Sequence, residues 1–493
     1  LATCANASIT TINDKVSNGS ITIANTRSNI SRNISGGGCS GTNCTIDTTQ
    51  NNGVTISGSG NQTLTITNNG TINPNSGKGM TIGPNASIEN ISNNGSITGS
   101  NGQYAIEIGG NNRNGATITN FTNNGTIGSS NSNYGIVGWA NGSNKTTIAN
   151  FTNSGLIQSN SNEAIYLNNT NIGTFTNSGT ITSSKGSGLN FGNVTIDNFN
   201  NSGNIKNISS TGNVKTFENS GFIGGISVRG TINNFDNSGY ISNITVERGN
   251  NKVTTFTNSG TINGNGGVYV KGTIGNLINE GTIINNNTWR DQSGIKLEGG
   301  GRIDHITNRG TIIAKTQGIS VSYGSFGTLT MEQNSKIHGN LAGIEIAQWQ
   351  TLGNLIVKDG ASIFGGNDGI LLNLGSTTQS IRIENGGKIN SNRFGMRLSH
   401  AFLDGDSVIT GKGSAISGNI AGIYLTKKSE LRGSMTMENE GSVKGGTYGI
   451  YLDQEAQLKG SIDVKNNGSI EGGTAGIFLT DNANLGGSIV VDG

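Results

Sequence analysis

Chemistry at neutral pH needs paired carboxylates, histidines beside nucleophiles or clustered thiols, and this 493-residue chain is poor in all three. Glycoside hydrolysis requires two carboxylates flanking one bond. Glu438 and Glu440 fall beside a corner of the repeat described below, and Asp453 and Glu455 follow a strand. A solvated turn accounts for each pair. His305, His338 and His400 are remote from one another in sequence, so general acid–base catalysis has little to draw on. No His-Glu-x-x-His and no Gly-x-Ser-x-Gly nucleophile elbow occurs. The three cysteines, Cys4, Cys39 and Cys44, are too few for structural zinc, which takes four ligands. Cys39 and Cys44 are expected to close a small disulfide loop, with Cys4 left over or exchanging into the pair. The residues predict no enzyme, no metal and no cofactor.

What the chain does offer is flat contact surface. A short strand reading G-[IV]-x-[LV] recurs, as in Gly422-Ile423-Tyr424-Leu425 and Gly449-Ile450-Tyr451-Leu452. Its third residue alternates outward. Those outward positions are Ser227, Tyr269, Lys296, Ser320, Glu345, Leu371, Arg397, Tyr424, Tyr451 and Phe478. One carboxylate in that stripe makes no acid pair. Tyr424, Tyr451 and Phe478 are evenly spaced and should stack as outward rings about 5 Å apart. Such rings suit flat ligands such as sugars, or another protein surface; shielding of the sheet is the plainer reading. Trp139, Trp289 and Trp349 sit in or near longer insertions, of which 134–145 and 285–293 read as loops leaving the scaffold. Loops on a rigid frame often carry recognition.

The frame itself is a repeat. Phe121-Thr122-Asn123-Asn124-Gly125-Thr126-Ile127 recurs at 151–157, 175–181, 199–205, 217–223, 235–241 and 256–262, with weaker copies at 66–72, 91–97, 277–283 and 306–312. An Ile or Val anchor continues at 337, 363, 389, 416, 443 and 470. Phe and Ile flank a corner, each pointing inward from its own strand. Asn at the corner tolerates a left-handed backbone and can bond its neighbour one coil away. Gly is expected to supply positive φ. A third strand leads back into the Phe, as at Thr146-Thr147-Ile148. Three short strands per coil predict an all-β fold, a right-handed parallel β-helix of about 17 or more rungs and over about 80 Å long. Propeller blades need about 40 residues, and leucine-rich repeats a Leu consensus. Neither fits.

Composition agrees. Gly numbers 81 and Pro 2, charged residues are only 12%, and the net charge is +2, with β-branched residues throughout. A disordered chain would show high net charge and few β-branched residues. The near-neutral balance, without a Lys/Arg cluster, argues against nucleic acid. No apolar stretch is long enough to cross a bilayer as a helix. Residues 1–60 repeat poorly and are expected to cap one end, 61–314 form the Asn/Gly-rich coils, and 315–493 form more charged, regular coils of 25–27 residues. Leu1-Ala2-Thr3-Cys4 reads as a mature or trimmed start. Residues 488–493 open another copy of the repeat, as if the parent protein continued.

The run of F-T-N-S-G-T-I copies resembles the passenger domains of type V autotransporters, especially the large β-helical ones of Helicobacter and Campylobacter, including the vacuolating-cytotoxin-like group. The resemblance covers most of 60–493 and rests on scaffold residues, so no functional residue carries over. It implies export through a C-terminal β-barrel absent from this sequence, and exposure at the bacterial surface or outside the cell. It further implies action as an adhesin, colonisation factor or toxin. The partners implied are a host-cell surface protein or glycan, with self-association of rods as the toxin-like alternative. A polysaccharide-active enzyme ranks last.

Overall fold

The computed structural model describes residues 43–56, 64–110, 114–140, 144–287, 293–347 and 349–492, preceded by the placement of three short strands. The chain winds into a β-solenoid of about 16 turns with parallel stacking between coils. The coil containing Thr146–Asn153, Leu156–Ser159 and Ile165–Leu167 shows the plan. Each of its strands pairs in parallel with its counterpart in the next coil, Phe151 opposite Phe175, Ile157 opposite Ile181 and Leu167 opposite Phe191. The strand predicted to lead into the Phe is continuous with it. Two adjacent outward residues, Ala149 and Asn150, mark the bend between inward Ile148 and Phe151. In later coils that bend becomes a break, with Phe402–Leu403 and Ser407–Thr410 as separate strands.

Like residues stack into columns. Phe121, Phe151, Phe175 and Phe199 are buried, with ring centroids 4.8–4.9 Å apart and planes within 5°. Beside them runs a column of buried amides. Asn68 Nδ2 donates to Asn93 Oδ1, and the pattern repeats through Asn123, Asn153, Asn177, Asn201, Asn219, Asn237, Asn258, Asn279 and Asn308 at 2.7–2.8 Å. A buried amide is costly unless bonded, and here each bonds to its copy.

Two expectations about the corner need correction. The column asparagines do not adopt a left-handed backbone; they remain extended and serve through their side chains. The motif glycines also lack positive φ. Close approach selects them instead: a Cβ on Gly155 would lie 2.1 Å from the Gly125 carbonyl oxygen, which accepts the Leu156 N–H at 2.9 Å. Among the described residues, left-handed corners of two consecutive non-glycine residues fall in the second half of the rod, as at Gln333–Asn334, Asn439–Glu440 and Asn466–Asn467, while Asn85 and Asn169 are single left-handed residues in the first.

The amide column ends where the composition shifts. Asn308 stands opposite Met331, and Val357, Ile383, Ile409, Met437 and Val464 continue it as apolar residues. At the other end, Asn43–Ile46 already pairs in parallel with Leu64–Asn68, so regular stacking begins within the segment expected to be a cap. Cys44 is disulfide-bonded, and Cys39 faces it across an antiparallel pair. Cys4 and the Cys39 side chain lie outside the described residues. Among those residues no helix is long and apolar enough to cross a membrane.

Candidate binding face

The predicted outward stripe forms in register. Tyr269 pairs with Lys296, then Ser320, Glu345, Leu371, Arg397, Tyr424, Tyr451 and Phe478 follow. Inward Ile423 and Leu425 anchor Tyr424, and Ile450 and Leu452 anchor Tyr451, so the scaffold fixes both rings from below. Tyr424 and Tyr451 stack at 4.9 Å and 13°, and Tyr451 meets Phe478 at 5.8 Å and 35°.

Two further rings join them. Phe394 stacks on Tyr424 at 4.6 Å, and Tyr448 stacks on Phe478 at 4.7 Å while touching Tyr451 at 4.9 Å. Both stand in the column before the glycine, which runs Asp368, Phe394, Ala421, Tyr448, Ala475. The small Ala421 and Ala475 leave room for a large ring to lean into the neighbouring coil. That large–small alternation is the sequence signal that a scan of the G-[IV]-x-[LV] stripe misses.

Charge is graded along the face. At one end Arg397 Nη2 donates to Asp368 Oδ2 at 2.7 Å, with the Asp368 side chain only 3% exposed. Burial pushes the Asp368 carboxyl up to about 6 even though Arg397 opposes the shift. Asp368 Oδ1 and Arg397 Nε are buried without hydrogen-bond partners. The Arg393 and Arg397 guanidiniums both lie over the Phe394 ring, at 5.3 and 5.8 Å. Toward the other end the Tyr424 hydroxyl donates to Asp453 Oδ2 at 3.1 Å. Desolvation, reinforced by Asp453, holds the Tyr451 hydroxyl up to about 12, so both tyrosines stay neutral and can donate. Beside the face, Ser391, Ser417, Asn419, Lys444, Glu471 and paired glycines line an open concavity of about 540 Å³.

No family model, curated protein or solved structure matches this chain.

Glu345 accepts from Gln317, Glu438 pairs with Lys465, Glu455 pairs with Lys428, and Asp453 accepts from the Tyr424 hydroxyl. Glu440 sits in a left-handed corner. Among the described residues no cluster of three His, Cys, Asp or Glu could hold a metal.

The tryptophans separate. Trp139 is not in a loop; it lies in the strand Ile136–Ala140, half-buried and 4.9 Å from the Tyr166 ring. Gly138-Trp139-Ala140 extends the strand without the usual alternation, which hides it in the sequence. Trp349 is 70% exposed at a left-handed corner (φ 64°). Its indole lies where a Cβ on Gly375 would go, and its edge meets His400 at 5.9 Å. Trp289 lies outside the described residues. The ends of its segment are held, since Asn285 Nδ2 donates to the Ser293 carbonyl at 2.8 Å.

Proposed function

We propose that this chain is a surface-presented binding rod, an adhesin or colonisation factor of the autotransporter-passenger kind, that engages host glycan through its outward ring stack. The observation that carries the reading is the Tyr424–Tyr451 stack at 4.9 Å, continued by Phe394, Tyr448 and Phe478. Phe394 is buried and the other four rings are half-buried, stacked face to face so that they turn their edges outward; rings held in place by a rigid sheet lose little entropy on binding. In this reading the rod works outside the bacterial cell without catalysis.

The test is a glycan array and a host-cell binding assay with the whole chain and a Y424A/Y451A/F478A variant. Signal in the parent and at least a tenfold loss in the variant, with an unchanged β-sheet circular dichroism spectrum, is the expected result. Equal binding by both proteins would refute the reading.

One observation favours a second reading, side-by-side association as in the vacuolating-cytotoxin-like group. Tyr323, Trp349 and Leu374 occupy matching corners of successive coils and are 60%, 70% and 49% exposed. Light scattering separates the two: concentration-dependent assemblies lost in Trp349→Ala would favour association.

A further inference from the structure

We propose that the ring stack is specific for acidic saccharides, with a sugar carboxylate or sulfate seated at the Arg393–Arg397 end. This rests on the glycan-binding reading above and narrows it. The geometry begins with Phe394, whose ring carries a guanidinium at 5.3 Å from Arg393 and another at 5.8 Å from Arg397. Phe394 in turn stacks on Tyr424 at 4.6 Å. Phe394 is buried and Tyr424 is stacked on both sides, so a sugar meets the outer edge of Tyr424, with the Arg393 and Arg397 guanidiniums grouped around the Phe394 ring next to it. Guanidinium planes held against a ring present their N–H forks in fixed directions, the geometry that carboxylate and sulfate oxygens accept in pairs.

The two arginines differ. Arg397 is committed on one side to Asp368 at 2.7 Å, and its Nε is buried without a hydrogen-bond partner. Arg393 is exposed and has no carboxylate within ion-pair distance among the described residues. It is the more exposed cation of the face, acting on Asp368 through charge without a direct ion pair. At the opposite end Asp453 lies under the tyrosines, and Asp481 adds a further negative charge toward Tyr451. An acidic sugar is drawn to the Arg393 end and repelled from the Asp481 end, so the stack reads a ligand in one direction.

Titration calorimetry of the whole chain with oligogalacturonate, dextran sulfate and neutral dextran, at two salt concentrations, tests this. One or both acidic probes should bind at least tenfold tighter than neutral dextran, and more weakly at high salt. Which of them binds tighter distinguishes a carboxylate from a sulfate. Arg393→Gln should weaken acidic binding at least fivefold and leave any neutral binding unchanged, with Arg393→Lys recovering part of the loss. Tyr451→Ala should weaken every saccharide. Equal affinity for neutral and acidic probes, or an Arg393→Gln protein that binds them unaltered, overturns the acidic specificity while the stack remains a glycan platform. Failure to bind any saccharide on the array or in the calorimeter removes both readings.

Discussion

The Asn123 side chain donates from Nδ2 to Oδ1 of Asn153 at 2.7 Å, and both residues are fully buried. Asn153 passes the bond on to Asn177 and also donates to the Gly155 carbonyl. Replacing Asn153 by Ala therefore strips a donor from Asn177 and an acceptor from Asn123 in one step. At about 1–3 kcal/mol for each buried polar group left unsatisfied, the loss should be about 2–6 kcal/mol in chemical denaturation. Asn308→Ala, at the end of the column, removes a partner from one column amide, Asn279, in place of two, and should cost less. Equal losses at the two positions would mean that the column is not acting as a chain.

Gly155 and Gly266 separate close approach from conformational freedom. An alanine at 155 would press its Cβ to 2.1 Å from a backbone oxygen, whereas at 266 the nearest atom lies at 3.5 Å. Neither glycine has positive φ. Gly155→Ala should destabilise the rod by about 1–3 kcal/mol, the usual range for overpacking, and Gly266→Ala should fall within experimental scatter. Thermal melts of the two variants decide it.

Asp368 predicts a stability gain. Its carboxyl is raised from 3.8 to about 6, first by burial and against the pull of Arg397. A raised carboxyl withholds stability when ionised: the fold is favoured fully below about pH 3.8 and loses that increment as pH rises through about 6. Asp368→Asn mimics the neutral form, so it should stabilise the protein at pH 7.5 by about 3 kcal/mol, with the gain vanishing below pH 4. A variant less stable than the parent at pH 7.5 would show that the ion pair outweighs the desolvation.

The same group should tune binding. Asp368 is faced by Arg397 and Arg393, with Glu345 as the further charge nearby. As pH falls from 7.5 through about 6, Asp368 becomes neutral and Arg397 is released toward the ring stack. Affinity for a sulfated probe, which keeps its own charge over that range, should rise several-fold. Asp368→Asn should bind at pH 7.5 as the parent does at pH 5.5. A flat profile in the parent would disconnect Asp368 from the face.

The inward columns are legible in the sequence because burial admits few residue types, and Phe151, Asn153 and Ile157 announce themselves by recurrence. The stripe through Tyr424, Tyr451 and Phe478 is legible for the same reason, since strand alternation fixes the outward side. Recurrence does not reveal cause, however. Gly155 looks like a turn residue until the Gly125 carbonyl is seen beneath it. Contacts that cross columns are hidden as well. Phe394 meets Tyr424, and Arg397 meets Asp368 across 29 residues, through offsets that depend on side-chain lean and not on period.

The amide column keeps the same bond length whether its partners lie 18 residues apart, as Asn201 and Asn219 do, or 30, as Asn93 and Asn123 do. It counts coils and is indifferent to the chain spent between them. Residues can be inserted or removed at the outer corners of a coil without altering the step to the next. A lineage carrying this repeat can therefore vary what it displays at any height, or duplicate a coil to change the height itself, while inheriting the same axle.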